Sequence, residues 1–257
     1  MDRKELLLTR LNEIGEVLAV KGDALLLLGL GSVGVETERL DEYSDLDFFV
    51  IVVPGSKDRF INQLDWLEDT YPLAYSFKNT KDGYKVMFED GIYGEFAVFE
   101  ERELKDIPYS GGRVVWKDSS FEIDNSDEPT MNFPELRSAS IDYVVNEAIT
   151  NVYVGLGRYA RGEKLSAVRF IESHAMNGII SVMHLLEPEV DSYPDKFSNE
   201  RRVETRFPIF AQRIGGMMQG YDKVPESALQ MLDYLEEIYP INPKIANEIR
   251  ELANKLI

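Results

Sequence analysis

The sequence predicts an α+β chain in which a mixed sheet flanked by helices is followed by an all-helical half. Three observations predict it. Strand-sized apolar runs all fall between residues 24 and 116. Beyond residue 130 they almost vanish, and apolar residues recur at helical spacing instead. Between these parts lies an acidic, Ser- and Pro-containing stretch, residues 118–129, with little periodicity of either kind. It reads as a linker. Two domains are therefore expected, residues 1–120 and 130–257.

Taken in order, Leu7, Leu11, Ile14 and Leu18 place an amphipathic helix over residues 2–20. Ala24 to Leu28 is a short buried strand that runs into the glycine cluster Gly29-Leu30-Gly31-Ser32-Val33-Gly34. A polar stretch continues to Ser44, and residues 46–53 form a second strand closed by Pro54-Gly55. Residues 58–68 read as helix. Residues 73–77, 85–88 and 93–99 read as strands, the last two joined as a hairpin through the turn sequence Glu89-Asp90-Gly91. Residues 113–116 add one more strand. In the second half, helices are expected over 133–161, 164–186, 204–218, 226–238 and 243–256, some with Pro near the start. No internal repeat is visible.

Composition narrows the function. A chain of 257 residues with 44% hydrophobic and 11% aromatic content can bury a real core. It has no cysteine, so neither a disulfide framework nor a thiolate metal site is available. The longest apolar runs are strand-sized, far short of a membrane span. The opening segment has no long apolar core or small-residue cleavage site, and a cytoplasmic protein is expected. A net charge of -18 counts against DNA as a partner, because phosphate backbones need a dense Lys/Arg surface. It suits metal ions and small cationic substrates, although many acidic proteins carry such charge for solubility alone.

Gly29-Leu30-Gly31-Ser32-Val33-Gly34 matches the G-x-G-x-x-G pattern after a strand. In a dinucleotide-binding fold a helix of some three turns would follow, then a strand with an acid at its far end. Here Asp45 and Asp47 stand at the start of the next strand, and the interval is short for a crossover helix. A different chemistry uses the same residues better. A Gly31-Ser32 turn after a strand can open a helix whose free N–H groups cradle phosphate oxygens. Asp45 and Asp47, two apart at a strand start, face one side about 7 Å apart along the backbone. Like charges so close repel unless something positive sits between them, and Mg²⁺ is the natural neutraliser. Glu95, an acid inside the otherwise apolar Tyr93 to Phe99 strand, supplies a third carboxylate if its strand lies nearby. Three such carboxylates can hold two metals about 3.5–4 Å apart for an in-line displacement. Glu95 could also accept a proton from the attacking hydroxyl. The ordinary alternatives are a solvated strand face for Glu95, a cap or loop role for the aspartates, and a simple turn for Ser32.

The combination of Gly31-Ser32, Asp45-Leu46-Asp47 with its apolar strand, and Glu95 resembles the DNA polymerase β-like nucleotidyltransferase superfamily. Glu42 to Phe48, Gly94-Glu95-Phe96 and Arg161-Gly162-Glu163 look most like segments of bacterial lincosamide and aminoglycoside nucleotidyltransferases. The resemblance implies a nucleotidyltransferase fold with a helical domain closing over the substrate. It implies Asp45 and Asp47 as Mg²⁺ ligands, Gly31 and Ser32 as triphosphate contacts, and Glu95 as third ligand or general base. The partners would be an NTP and a small-molecule acceptor, and the protein a homodimer. Two other classes stay open: an enzyme of this fold acting on a protein or tRNA, and a silent nucleotide-binding or regulatory relative.

Among the remaining candidates, Arg161, Lys164 and Arg169 could reach phosphates, as could Arg201 and Arg202. Each is ordinarily a helix-surface ion, and Arg161 and Lys164 are the pair to test first. His174 and His184 lack a metal-binding spacing. Neither a G-x-S-x-G elbow nor a G-x-x-x-x-G-K-[ST] loop occurs.

Overall fold

Asp2 starts the first helix by accepting the Glu5 N–H, while Glu5 accepts the Asp2 N–H in return. The helix α1 runs Arg3–Lys21 and stops at Gly22, whose φ of 80° is left-handed. In this computed structural model residues 2–107, 111–122 and 134–257 are described. The chain divides into two compact units, Met1–Asn132 and Phe133–Ile257.

The first unit continues with β1 (Ala24–Leu30), β2 (Leu46–Val52), α2 (Lys57–Asn62), α3 (Asp65–Glu68), β3 (Leu73–Phe77), β4 (Gly83–Phe88), β5 (Tyr93–Glu100) and β6 (Gly112–Lys117). They form one six-stranded sheet in the order β3-β4-β5-β2-β1-β6. β2 and β5 run parallel, and every other neighbouring pair is antiparallel, so the sheet is mixed as expected. Period-2 alternation gives it two unlike faces. On one, Phe48, Val50, Val86, Phe88, Phe96 and Val98 are buried with Leu7, Leu11, Ile14 and Leu18 of α1 and with Phe60 and Trp66. On the other, Leu26, Leu28, Ile51 and Phe99 form a smaller cluster with Phe121.

The expected helix over residues 58–68 is instead the pair α2 and α3. Gln63 leaves helical geometry (φ -133°, ψ 111°), and the Trp66 indole N–H turns back to the Phe60 carbonyl at 3.1 Å. Most of the expected linker, residues 123–129, lies outside the described residues.

The second unit is helical: α4 (Ile141–Ala160), α5 (Lys164–Val168), α6 (Met176–Leu186), α7 (Val203–Arg206), α8 (Pro208–Met217), α9 (Val224–Ile238) and α10 (Pro243–Leu256). The expected helix from residue 133 starts later, where Ser140 caps α4 by accepting the Tyr143 N–H; residue 133 itself lies outside the described residues. The 164–186 helix is continuous but widens to a π-helix over Arg169–Ala175. Gly155 of α4 admits that segment, since a β-carbon there would lie 2.6 Å from Ile171. The expected 204–218 helix breaks at Phe207, because Pro208 has no N–H and disfavours helical geometry in the residue before it.

Candidate active site

β1 ends in Leu30, and the chain turns at Gly31, whose φ of +54° favours glycine. One turn of 3-10 helix, Gly31–Val33, follows, and the N–H groups of Gly34 and Glu36 both return to the Gly31 carbonyl at 3.1 Å. Ser32 is buried at the centre of this turn. Arg113 of β6 grips it from the side, donating through two guanidinium nitrogens to the Val33 carbonyl at 3.2 and 2.9 Å. No α-helix opens here, contrary to the sequence expectation. Gly34 leaves helical geometry at φ -97°, ψ -115°, and only a second 3-10 turn, Thr37–Arg39, comes next. Any phosphate contact at Gly31-Ser32 would therefore be made by a local turn, without a helix dipole behind it.

The loop that leads to the aspartates shapes itself. Asp41 Oδ1 accepts from the Tyr43 N–H and from the Ser44 hydroxyl, at 2.9 and 3.0 Å, and delivers Asp45 half-buried at the mouth of β2. Asp45 stands one residue before the strand, and Asp47 is inside it.

In the parallel register of β2 and β5, Asp47 is the direct partner of Glu95. Residues so paired lie on the same face, about 4.8 Å apart across the sheet. Two acids at one strand-pair position are costly unless a cation accompanies them. Around Glu95 the structure supplies Lys85, its cross-strand partner on β4, with the ammonium 3.6 Å from Oε2. Asn79, in the β3–β4 loop, donates its amide to Glu95 Oε1 at 2.6 Å. Gly31 adjoins Asp47 from the other side: a β-carbon on Gly31 would lie 3.9 Å from Asp47 Oδ2 and 3.0 Å from an Arg39 guanidinium nitrogen. Arg39 is ion-paired with Glu36. Gly31, Ser32, Asp47 and Glu95 are thus brought to one end of the sheet, with Asp45 at its margin.

Among the described residues, no group of three or more His, Asp or Glu side chains is gathered tightly enough to hold a metal by itself. The donor set nevertheless suits a hard cation. Mg²⁺ binds through one or two carboxylates and completes its shell with water and substrate phosphates. Asp47 and Glu95 offer such carboxylates beside a backbone turn.

Arg161 and Lys164 lie in the helical unit. Arg161, at the end of α4, pairs with Glu163 at 3.1 Å, and Lys164 pairs with Asp222 at 3.2 Å. The Lys164 ammonium also lies 5.0 and 5.5 Å from the Tyr159 and Tyr221 rings. Hydrogen bonding to Tyr159 and then to Asp222 raises its pKa, so it remains a cation.

Three neighbours of the site escape a search for acids and glycines: Arg39, Asn79 and Lys85. Lys85 had a usable signal, because counting outward from the Glu89-Asp90-Gly91 turn sets it opposite Glu95. Arg39 and Asn79 lie in a 3-10 turn and a loop, where no periodicity marks them.

No protein-family model matches the chain, and no curated protein matches it in sequence. Solved structures similar to it include an aminoglycoside 6-adenyltransferase from Bacillus subtilis, at 15% identity and a TM-score of 0.38 over 95% of this chain and 96% of that one. Another is a STING-associated CdnE c-di-GMP synthase from Capnocytophaga granulosa, at 12% identity and a TM-score of 0.29 over 98% and 80%.

Proposed function

We propose that the chain is a metal-dependent nucleotidyltransferase that moves NMP from an NTP to a hydroxyl of a small molecule. The observation that carries this reading is the in-register pairing of Asp47 with Glu95 beside the Gly31-Ser32 turn. Two acids and a tight glycine turn on one sheet face are a poor choice for stability and a good one for holding a cation against phosphates.

In this reading residues 1–120 are the catalytic domain, and the helical residues 130–257 are a substrate-binding or closing domain that would add contacts to the part of the substrate beyond the phosphates and the reacting hydroxyl. The backbone at Gly31 and Ser32 holds the β- and γ-phosphates. Asp47 and Glu95, with Asp45, would hold one or two Mg²⁺ ions. Bound there, the metal would supply neutralisation of the negative charge that builds up during the transfer. The acceptor oxygen forms a bond to the α-phosphorus while the bond to the bridging oxygen breaks and pyrophosphate leaves. Glu95 takes the hydroxyl proton. Positioning and charge neutralisation carry most of such a reaction. Arg39 stands where it can meet the triphosphate beside Gly31.

The acceptors proposed from the sequence resemblance are lincosamides and aminoglycosides. The test is mass spectrometry after incubation with Mg²⁺, each of the four NTPs, and a panel of both classes. A mass gain of one NMP on an acceptor, absent in Asp47→Asn, supports the reading. No gain on any acceptor, together with nucleotide binding indifferent to metal, would refute it.

A further inference from the structure

Deepening that reading, and resting on it, we infer that the outer face of the β3–β4 hairpin is the surface on which the acceptor lies. Strand register puts four side chains in one line across the sheet. Phe77 of β3 pairs with Lys85 of β4, Lys85 with Glu95 of β5, and Glu95 with Asp47 of β2. One step along the strands, Tyr75 pairs with Met87. Residues joined by such pairing share a face, so the aromatic pair continues the acidic site sideways. Phe77 lies about 10 Å from Glu95, at two strand spacings.

This part of the face is open. Tyr75, Phe77 and Met87 are 54%, 52% and 38% exposed, an apolar group left in solvent at the edge of the sheet.

Direction selects the occupant. An in-line displacement places the entering and leaving oxygens on opposite sides of the phosphorus. With the pyrophosphate held at Gly31-Ser32, on the β1 side of Asp47, the entering hydroxyl comes from the β4 side of Glu95. That is where the aromatic surface lies. A second observation points the same way. Asn79 gives its amide N–H to Glu95, and its Oδ1 is buried with no hydrogen-bond partner. A buried acceptor without a partner is costly, and a hydroxyl donor beside Glu95 would satisfy it. The chemistry defined is a hydroxyl-bearing ring with a flat apolar face. The ring packs on Tyr75 and Phe77, and its hydroxyl reaches Asn79 and Glu95.

The probe is phenyl β-D-glucopyranoside, followed by saturation-transfer NMR with Mg²⁺ and ATP present. Nucleotide binding is measured separately on the same samples with a fluorescent ATP analogue. The wild type is expected to transfer saturation to the probe's ring protons. The Tyr75→Ala/Phe77→Ala variant should lose at least four-fifths of that signal and keep its nucleotide affinity within about twofold. Asn79→Ala retains the platform and should weaken probe affinity several-fold. Both aromatics are exposed, so folding should survive, and the single Phe77→Ser variant repeats the test if the double variant melts early. No probe signal in the wild type, or an unchanged signal in the platform variants, overturns the inference. The transferase reading fails on a different readout, namely nucleotide binding unaffected by metal or by Asp47→Asn.

Discussion

The two faces of the sheet are built from the same strands and differ in what they ask of each residue. On the covered face Phe48, Trp66 and Phe96 meet ring to ring, with centroids 5.1 to 6.4 Å apart, under α1 and the short helices. On the other face the next residues along, Asp47 and Glu95, replace that apolar contact with two paired acids. A one-residue shift in a strand therefore separates what stabilises the fold from what the chemistry needs. The difference teaches that stability and activity should fail separately here.

Asp47→Asn probes the acid-bearing face most severely. Turnover should fall by about three orders of magnitude, in line with loss of a charge that stabilises the reacting centre. The thermal midpoint should stay within a few degrees. A melting curve beside a pyrophosphate-release assay reads both. Phe96→Ala makes the opposite cut: about 3–5 kcal/mol of stability lost in urea denaturation, from a side chain 2% exposed. Activity per folded molecule should persist at temperatures where the variant remains native. An equal loss of both properties in either variant would break the separation.

This division was legible in advance only where a period of two marks it. The alternation around Glu95 and around Asp47 assigns each acid to a face, and the hairpin turn sets Lys85 opposite Glu95. What could not be read was that β2 and β5 lie side by side and parallel, because that pairing skips two strands and depends on how the intervening chain returns. The 3-10 turns after Gly31 were equally hidden. A glycine cluster after a strand looks the same whether a helix propagates from it or stops at Gly34. In the helical half, apolar spacing located the helices but not the π-segment at Arg169–Ala175, because the buried residues Ala167, Ile171, Ala175 and Ile179 recur every fourth position, a spacing that an α-helix also accommodates.

A smaller effect sharpens the comparison at its hinge. Gly31→Ala keeps all charges but puts a side chain at φ +54°, 3.0 Å from the Arg39 guanidinium. It should cost about 1–2 kcal/mol of stability and raise the KM for NTP more than it lowers kcat. The reverse pattern would move the turn away from the triphosphate.

The smallest expected effect lies away from both faces, at Asp65. The Lys21 hydrogen bond, aided by Arg59, holds its carboxyl down to about 2. A carboxylate lowered on folding stabilises above its unfolded value near 4, and the contribution fades as pH falls towards 2. With its side chain 43% exposed the pair is screened, so Asp65→Asn should lose only about 0.5 kcal/mol at pH 7. That difference should close between about pH 4 and pH 2, read by denaturation at each pH.

The central claim is that Asp47 and Glu95 jointly hold a cation against the phosphates of a nucleotide. Electron paramagnetic resonance of Mn²⁺, titrated with protein and a non-hydrolysable ATP analogue, measures it without needing an acceptor. The account predicts nucleotide-dependent Mn²⁺ binding in the wild type, weakened at least tenfold by Asp47→Asn and by Glu95→Gln alike, and unchanged in Phe77→Ala. Binding of equal strength in Asp47→Asn, or binding indifferent to the nucleotide, would contradict it.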